Sequence, residues 1–263
     1  LGAARALVAF FKASGAANAR GNLGLDALAL AARTGEAPDL GAQAEWVQAS
    51  LAELPGVRAL TVDVLPYDNA GASDVDQVAF AIATGVAYLR DLEAAGISPS
   101  HAFSQILFRV SVNADQFTSI SRLRALRRLW ARVGEVSGVP EGARGAVQQA
   151  VTSWRMITRD DPWVNLLRGT IATFAAAIGG AEIVTCLPFD TAWGLPDEFS
   201  RRMARNTQLL AAEESNIGRV ADPAGGSWYV EELTEQLAKK AWARFTEIEA
   251  AGGMASALTS GKV

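Results

Sequence analysis

Stretches with helical spacing of apolar residues alternate along this chain with short, β-branched apolar runs, one pair roughly every 35–40 residues. With no series of closely spaced hairpin runs, that alternation points to a parallel α/β fold in which helices cover strands. The expected strands are 60–65, 106–112, 146–151, 182–187 and 218–222, with 22–25 a weaker sixth. The clearest helix, 73–95, places Val75, Val78, Ile82, Val86, Leu89 and Leu92 at helical spacing. It opens on Ser73-Asp74-Val75-Asp76, a cap with acidic residues in the first turn, and stops before Gly96. Further helices are expected at 114–133, after Pro162, at 197–214, and at 230–251, the last closed by Gly252-Gly253. A closed (β/α)8 barrel and an open doubly wound sheet both fit this pattern. The 263 residues contain no linker rich in Pro or Ser, so residues 1–263 are read as a single domain.

Composition removes whole classes of function. The chain holds one histidine, His101, and one cysteine, Cys186, whereas zinc and non-haem iron sites need several such ligands at one point. A hydrolase of the Ser-His or Cys-His kind would have to use His101. That residue stands in Ser98-Pro99-Ser100-His101, a helix start at the surface. Cys186 lies in Ile183-Val184-Thr185-Cys186-Leu187 and reads as the filling of a buried strand. A net charge of −4 and a pI near 5.2 offer no general attraction to nucleic acid or anionic membranes. No apolar run reaches the roughly 18 residues of a membrane span, and no signal pattern opens the chain. The expected location is cytoplasmic. A start at Leu1 rather than Met suggests a processed or truncated N-terminus.

Several motifs have a functional and a plain reading. Arg122, Arg124, Arg127, Arg128 and Arg132 suit phosphate or RNA, but their spacing around a helix with Leu123, Leu126 and Trp130 favours a solvated face. Ala224-Gly225-Gly226-Ser227 precedes a helix as a phosphate-binding turn would, without the spacing or lysine of the known phosphate loops. Glu213-Glu214 are adjacent on a helix and point apart. Asp63 and Asp68 flank the C-terminal end of a strand, where barrel active sites lie, and are the better acid/base candidates. The residues by themselves indicate a parallel α/β protein without a catalytic constellation.

Two stretches carry more. Leu195-Pro196-Asp197-Glu198-Phe199-Ser200 is followed by Ala204-Arg205-Asn206-Thr207-Gln208-Leu209. Glu214-Ser215-Asn216-Ile217-Gly218-Arg219-Val220-Ala221-Asp222-Pro223 then runs into Gly225-Gly226-Ser227-Trp228-Tyr229-Val230-Glu231. With Ala70-Gly71-Ala72, Gly85-Val86-Ala87-Tyr88-Leu89-Arg90 and Leu129-Trp130-Ala131, these resemble the methylmalonyl-CoA mutase family. The resemblance implies a parallel (β/α)8 TIM-type barrel, here a truncated chain covering about strands 3 to 8. Leu1 would fall inside a helix, and the N-terminal part of the barrel and the C-terminal cobalamin-type domain would be absent. Members of this family are adenosylcobalamin-dependent isomerases that interconvert methylmalonyl-CoA and succinyl-CoA.

Where the resemblance implies contacts with substrate or cofactor, this chain departs from it. The Tyr-His pair of the catalytic chain corresponds to Leu65 and Pro66, and a substrate-side His and Gln to Gln149 and Val151. The Asn and Glu facing the adenosyl group correspond to Leu187 and Thr191, although Asp190 remains. A further substrate-side Gln corresponds to Gly24, and the carboxylate-binding Arg falls one position from Arg33. The cobalt-ligating histidine motif is missing. The surviving Arg205, Asn206, Arg219 and Asp222 are expected to satisfy helix and strand ends. The resemblance is strongest to the small, or beta, subunit of the heterodimeric enzyme. It implies a non-catalytic chain with no catalytic, cofactor-binding or metal residue of its own, supporting a large catalytic subunit that carries adenosylcobalamin. The alternative is an active acyl-CoA mutase or CoA-binding enzyme with a rebuilt site at Asp63, Tyr67 and Asp68.

Overall fold

The computed structural model describes residues 2–15 and 18–263. Leu1, placed in a helix by the resemblance, lies outside the described residues. The five strands are β1 (Gly21–Leu25), β2 (Val57–Asp63), β3 (Ile106–Val112), β4 (Val147–Thr152) and β5 (Ile183–Thr185). They pair in parallel and in sequence order, β1-β2-β3-β4-β5. That order decides between the two architectures: a doubly wound sheet reverses direction at a switch point, whereas a barrel adds each strand beside the last. The sheet is a curled half-barrel, part of a TIM-like barrel.

The helices are α1 (Gly2–Ala13), α2 (Ala27–Thr34), α3 (Leu40–Glu53), α4 (Leu65–Ala70), α5 (Asp74–Ala94), α6 (Pro99–Gln105), α7 (Gln116–Val136), α8 (Val164–Ile178), α9 (Glu198–Leu209), α10 (Trp228–Ala250) and α11 (Gly253–Thr259). Their ends follow local chemistry. The Ser73 hydroxyl accepts from Asp76 N, and the Asp115 and Asp197 carboxylates accept from Thr118 N and Ser200 N. Strand β2 ends two residues earlier than its apolar run, because Pro66 favours the first turn of α4. At β1 the ladder shifts between Asn22 and Leu25. Gly24 there has φ +72°, a conformation open to glycine, and its N–H donates to Asn22 Oδ1 at 2.6 Å.

One face of the sheet packs on the helices. Phe108 of β3 meets Trp130 of α7 edge-on at 4.9 Å between ring centroids, and Phe103 of α6 stacks on the same indole at 4.4 Å. Gln148 of β4 donates to Leu123 O of α7 at 3.1 Å. The alternate residues, Asp63, Arg109 and Gln149, face the other side at one level of the register.

Three expectations are corrected. Residues 218–222 form turns rather than a strand, so the described sheet has five strands, not six. Asn216 and Asp222 adopt φ of +53° and +47°, which breaks extension, and Asp222 is drawn onto Arg124 of α7. The run at 182–187 is paired only over Ile183–Thr185, leaving Cys186 past the strand end and partly exposed. The arginines of α7 are a solvated face only in part, at Arg128 and Arg132. Arg122 is fully buried, Arg124 pairs with Asp222 and Glu231, and Arg128 pairs with Glu235. Helix α10 packs on α5 and α7 and brings Glu231 and Glu235 to Arg124 and Arg128, whereas Arg122 is held by Asp74 and Gln77 of α5 and Ser111 of β3.

Candidate functional site

In a parallel barrel, the C-terminal rim of the strands carries the chemistry. The positions that the resemblance aligned with substrate and cofactor contacts do gather there. Gly24 is in β1, Leu65 and Pro66 follow β2, Gln149 and Val151 are in β4, and Leu187 and Thr191 follow β5. His101 does not join them. It is exposed on α6, whose last residue leads directly into the start of β3, so it sits at the opposite end of the strands.

A polar ladder crosses the concave face. Arg33 of α2 donates to Asp63 Oδ2 at 2.6 Å, and Arg109 Nη1 reaches the same oxygen at 3.4 Å. Arg109 Nε donates to Gln149 Oε1 at 3.2 Å, and Gln149 Nε2 donates to Thr185 Oγ1 at 3.1 Å. The other oxygen of Asp63, Oδ1, accepts from Leu65 N at 3.0 Å. Asp63 is 4% exposed, against 34% for the Arg109 side chain and 53% for Arg33. The carboxylate is thus held between two cations at the edge of solvent. Beside it lies a pocket of about 230 Å³, bounded by Gly24, Asp26, Leu30, Arg33, Thr61 and Arg109.

Behind the ladder is a second carboxylate, the N-cap of α2. Asp26 Oδ1 accepts from Ala29 N at 2.8 Å and from the Tyr88 hydroxyl, and Oδ2 accepts from Asp63 N at 2.6 Å. Burial pushes the Asp26 carboxyl up to about 7, outweighing these donors, and the nearby Asp63 charge adds to the rise. Tyr88 also accepts from Leu28 N at 3.0 Å, so one phenol joins α5 to the start of α2. Burial, then the charges of Asp26 and Asp63, holds the Tyr67 phenol far above its usual range. Its hydroxyl is buried and has no hydrogen-bond partner among the described residues.

The raised Asp26 has a measurable consequence. Its folded-state pKa exceeds its ordinary value of 3.8, so the native protein holds this proton more tightly than the unfolded chain. The resulting stability is complete below about pH 4 and is lost as pH rises through about 7. Urea midpoints are expected to fall from pH 5 to pH 8, by less than about 1.4 kcal/mol per pH unit, and Asp26→Asn flattens the slope. A midpoint that holds or rises across that window contradicts the assignment.

Of the acid/base candidates, Asp63 is engaged by the ladder. Asp68 accepts from Gln77 Nε2 at 3.0 Å and Ser153 Oγ at 2.7 Å, with Arg155 at 3.7 Å. Both carboxylates are therefore tied into the scaffold. The turn at Gly225-Gly226 is also taken: Gly226 N donates to Glu231 Oε1 at 3.1 Å, where an anion would otherwise sit. Glu213 and Glu214 are exposed on a π-helical turn (Leu210–Glu214). Of the four surviving motif residues, Asp222 finds an ion-pair partner in Arg124, while Arg205 and Arg219 are exposed. Burial pushes the Cys186 thiol up, away from nucleophilic use. Sequence reasoning missed Asp26 and Tyr88 as a unit. For Arg109 the signal was present, as a lone cation interrupting the apolar run of β3.

Comparison with known proteins bears on the same site. The methylmalonyl-CoA mutase family model matches residues 31–263. The methylmalonyl-CoA mutase small subunit of Propionibacterium freudenreichii subsp. shermanii is 54% identical over 259 residues, covering 97% of this chain and 41% of the relative. The small subunit of Streptomyces virginiae is 54% identical over 265 residues, covering 99% and 43%. The methylmalonyl-CoA mutase of Escherichia coli (strain K12) is 36% identical over 209 residues, covering 79% and 29%. The chain thus spans about two fifths of the length of the small subunits it matches at 54% identity.

Proposed function

The chain belongs to the methylmalonyl-CoA mutase family, and from that premise we propose that it is part of the small subunit of a heterodimeric, adenosylcobalamin-dependent mutase. In this reading it performs no chemistry itself and supports a large, cofactor-bearing subunit that isomerises methylmalonyl-CoA to succinyl-CoA. One observation carries the proposal. The five described strands keep the frame of the rim, yet among the positions aligned with reacting groups stand Gly24, Leu65, Pro66, Val151 and Leu187, with Gln149 and Thr191 the polar exceptions. Proline offers no side-chain donor to a substrate carbonyl, and leucine and valine offer neither charge nor proton.

The residues present do not fit adenosylcobalamin. Among these 263 residues a cobalt-ligating imidazole could come only from His101, which is at the far end of the strands. No step through that group is assigned to this chain. What the chain supplies is surface. Leu195 and Trp228 are almost wholly exposed, and Leu167 and Trp163 are more than half exposed. Apolar area of this kind is stabilised by covering it, by the remaining length of a small subunit or by a large one.

The test is to purify the full-length protein alone and after co-expression with a larger mutase chain. A one-to-one complex with the visible spectrum of cobalamin and mutase turnover is expected, and neither signal from the protein alone. Retention of cobalamin or turnover of methylmalonyl-CoA by the lone protein defeats the proposal. The buried, unpartnered Tyr67 hydroxyl is the one feature favouring a rebuilt CoA site. Tyr67→Phe is expected to leave turnover of the complex within about twofold; a loss of a hundredfold, about 2.7 kcal/mol, supports that second reading instead.

A further inference from the structure

We propose that the ladder from Arg33 through Asp63, Arg109 and Gln149 to Thr185 is a lock that closes the concave rim to acyl-thioesters. This rests on the reading of the chain as a non-catalytic subunit and gives that silence a physical cause beyond missing groups.

Three observations carry it. Asp63, Arg109 and Gln149 are register partners on adjacent strands, and Thr185 extends the line to β5, so the ladder crosses four strands. Its polar groups also satisfy one another. Asp63 Oδ2 takes both guanidinium groups, Oδ1 takes Leu65 N, and Gln149 uses its oxygen toward Arg109 and its amide toward Thr185. A thioester entering along the concave face would have to push Arg109 aside, which takes a cation from the buried Asp63 carboxylate. Finally, the space remaining beside the ladder is about 230 Å³. Pockets that enclose small molecules run from roughly 300 Å³ upward. Arg109 is the central element, since it alone bonds to both Asp63 and Gln149.

Equilibrium dialysis with labelled propionyl-CoA, counting sites on the full-length protein within its complex, tests this. The wild-type complex is expected to bind one equivalent, on the larger chain. The Asp63→Ser/Arg109→Ala variant, which removes both central members, is expected to bind two. Arg33→Ala, which leaves Asp63 paired with Arg109, is expected to stay at one. Two equivalents on the wild type overturn the lock. So does a double variant with wild-type circular dichroism that still binds one. Should the double variant not fold, Arg109→Leu, which keeps Asp63 paired with Arg33, is judged by the same counts. If no complex forms, the assignment as a small subunit fails, and the lock is judged separately on the protein alone, where the count should go from zero to one.

Discussion

Replacing Arg122 with methionine is expected to cost about 3–5 kcal/mol of stability, the range for removing one partner of a buried charged pair. For a chain of this size that is a fall in Tm of roughly 10 °C, read by calorimetry. Arg122 is 1% exposed, and burial lowers its pKa while Asp74 and Asp68 oppose the change. Its Nη1 donates to Asp74 at 2.7 Å and to Gln77 Oε1 at 2.9 Å, and Nη2 donates to Ser111 O at 2.5 Å. One guanidinium thereby joins α7 to the first turn of α5 and to the end of β3. Gln77 carries the network on to Asp68 and so to Ser153. Methionine fills much of the volume but leaves Gln77 Oε1 and the Ser111 carbonyl without this donor. Adding Gln77→Leu is expected to deepen the loss, because it also takes a donor from the buried Asp68 carboxylate and the acceptor of Ser111 Oγ. An Arg122→Met variant as stable as the wild type rules out this role.

The second large effect concerns Trp130 and Gly85. Trp130→Ala is expected to cost about 3–5 kcal/mol, since it empties a site between Phe103 and Phe108. Gly85 is glycine because a Cβ there would stand 2.6 Å from Trp130 Cζ3 and 2.9 Å from Cη2. Gly85→Val is expected to cost about 1–3 kcal/mol through overpacking. The two changes are complementary in space, so the double variant should lose less than the sum of the single losses. Additive urea midpoints show that the valine is accommodated elsewhere.

The strand positions of β2, β3 and β4 were legible because apolar runs and β-branched residues respond to local geometry. So was α5, whose cap and terminal glycine lie within its own sequence. Strand β5 and the segment 218–222 were misjudged for a different reason. A strand exists only if a neighbour pairs with it, and periodicity carries no information about that neighbour. The fate of Arg122 was equally hidden, because its partners Asp74 and Gln77 lie on α5, 48 and 45 residues earlier. At the rim, Leu65, Pro66, Leu187 and Thr191 could be placed through motif resemblance alone. The joining of Asp26 to Tyr88, 62 residues apart, needed the fold.

Consecutive strand order also sets how this unit can form. The ladder bonds join residues 46, 40 and 36 positions apart, each spanning one strand–helix–strand unit. Every added strand closes a loop of similar, modest length, so pairing can advance from β1 toward β5 as the chain emerges during synthesis. The exception is α10, whose Arg244 meets Asp76 across 168 residues. Docking of α10 is therefore the slow, high-contact-order step, and until it occurs Arg124 and Arg128 lack their partners Glu231 and Glu235. Hydrogen exchange after a refolding jump should protect β2 and β3 amides before those of α10.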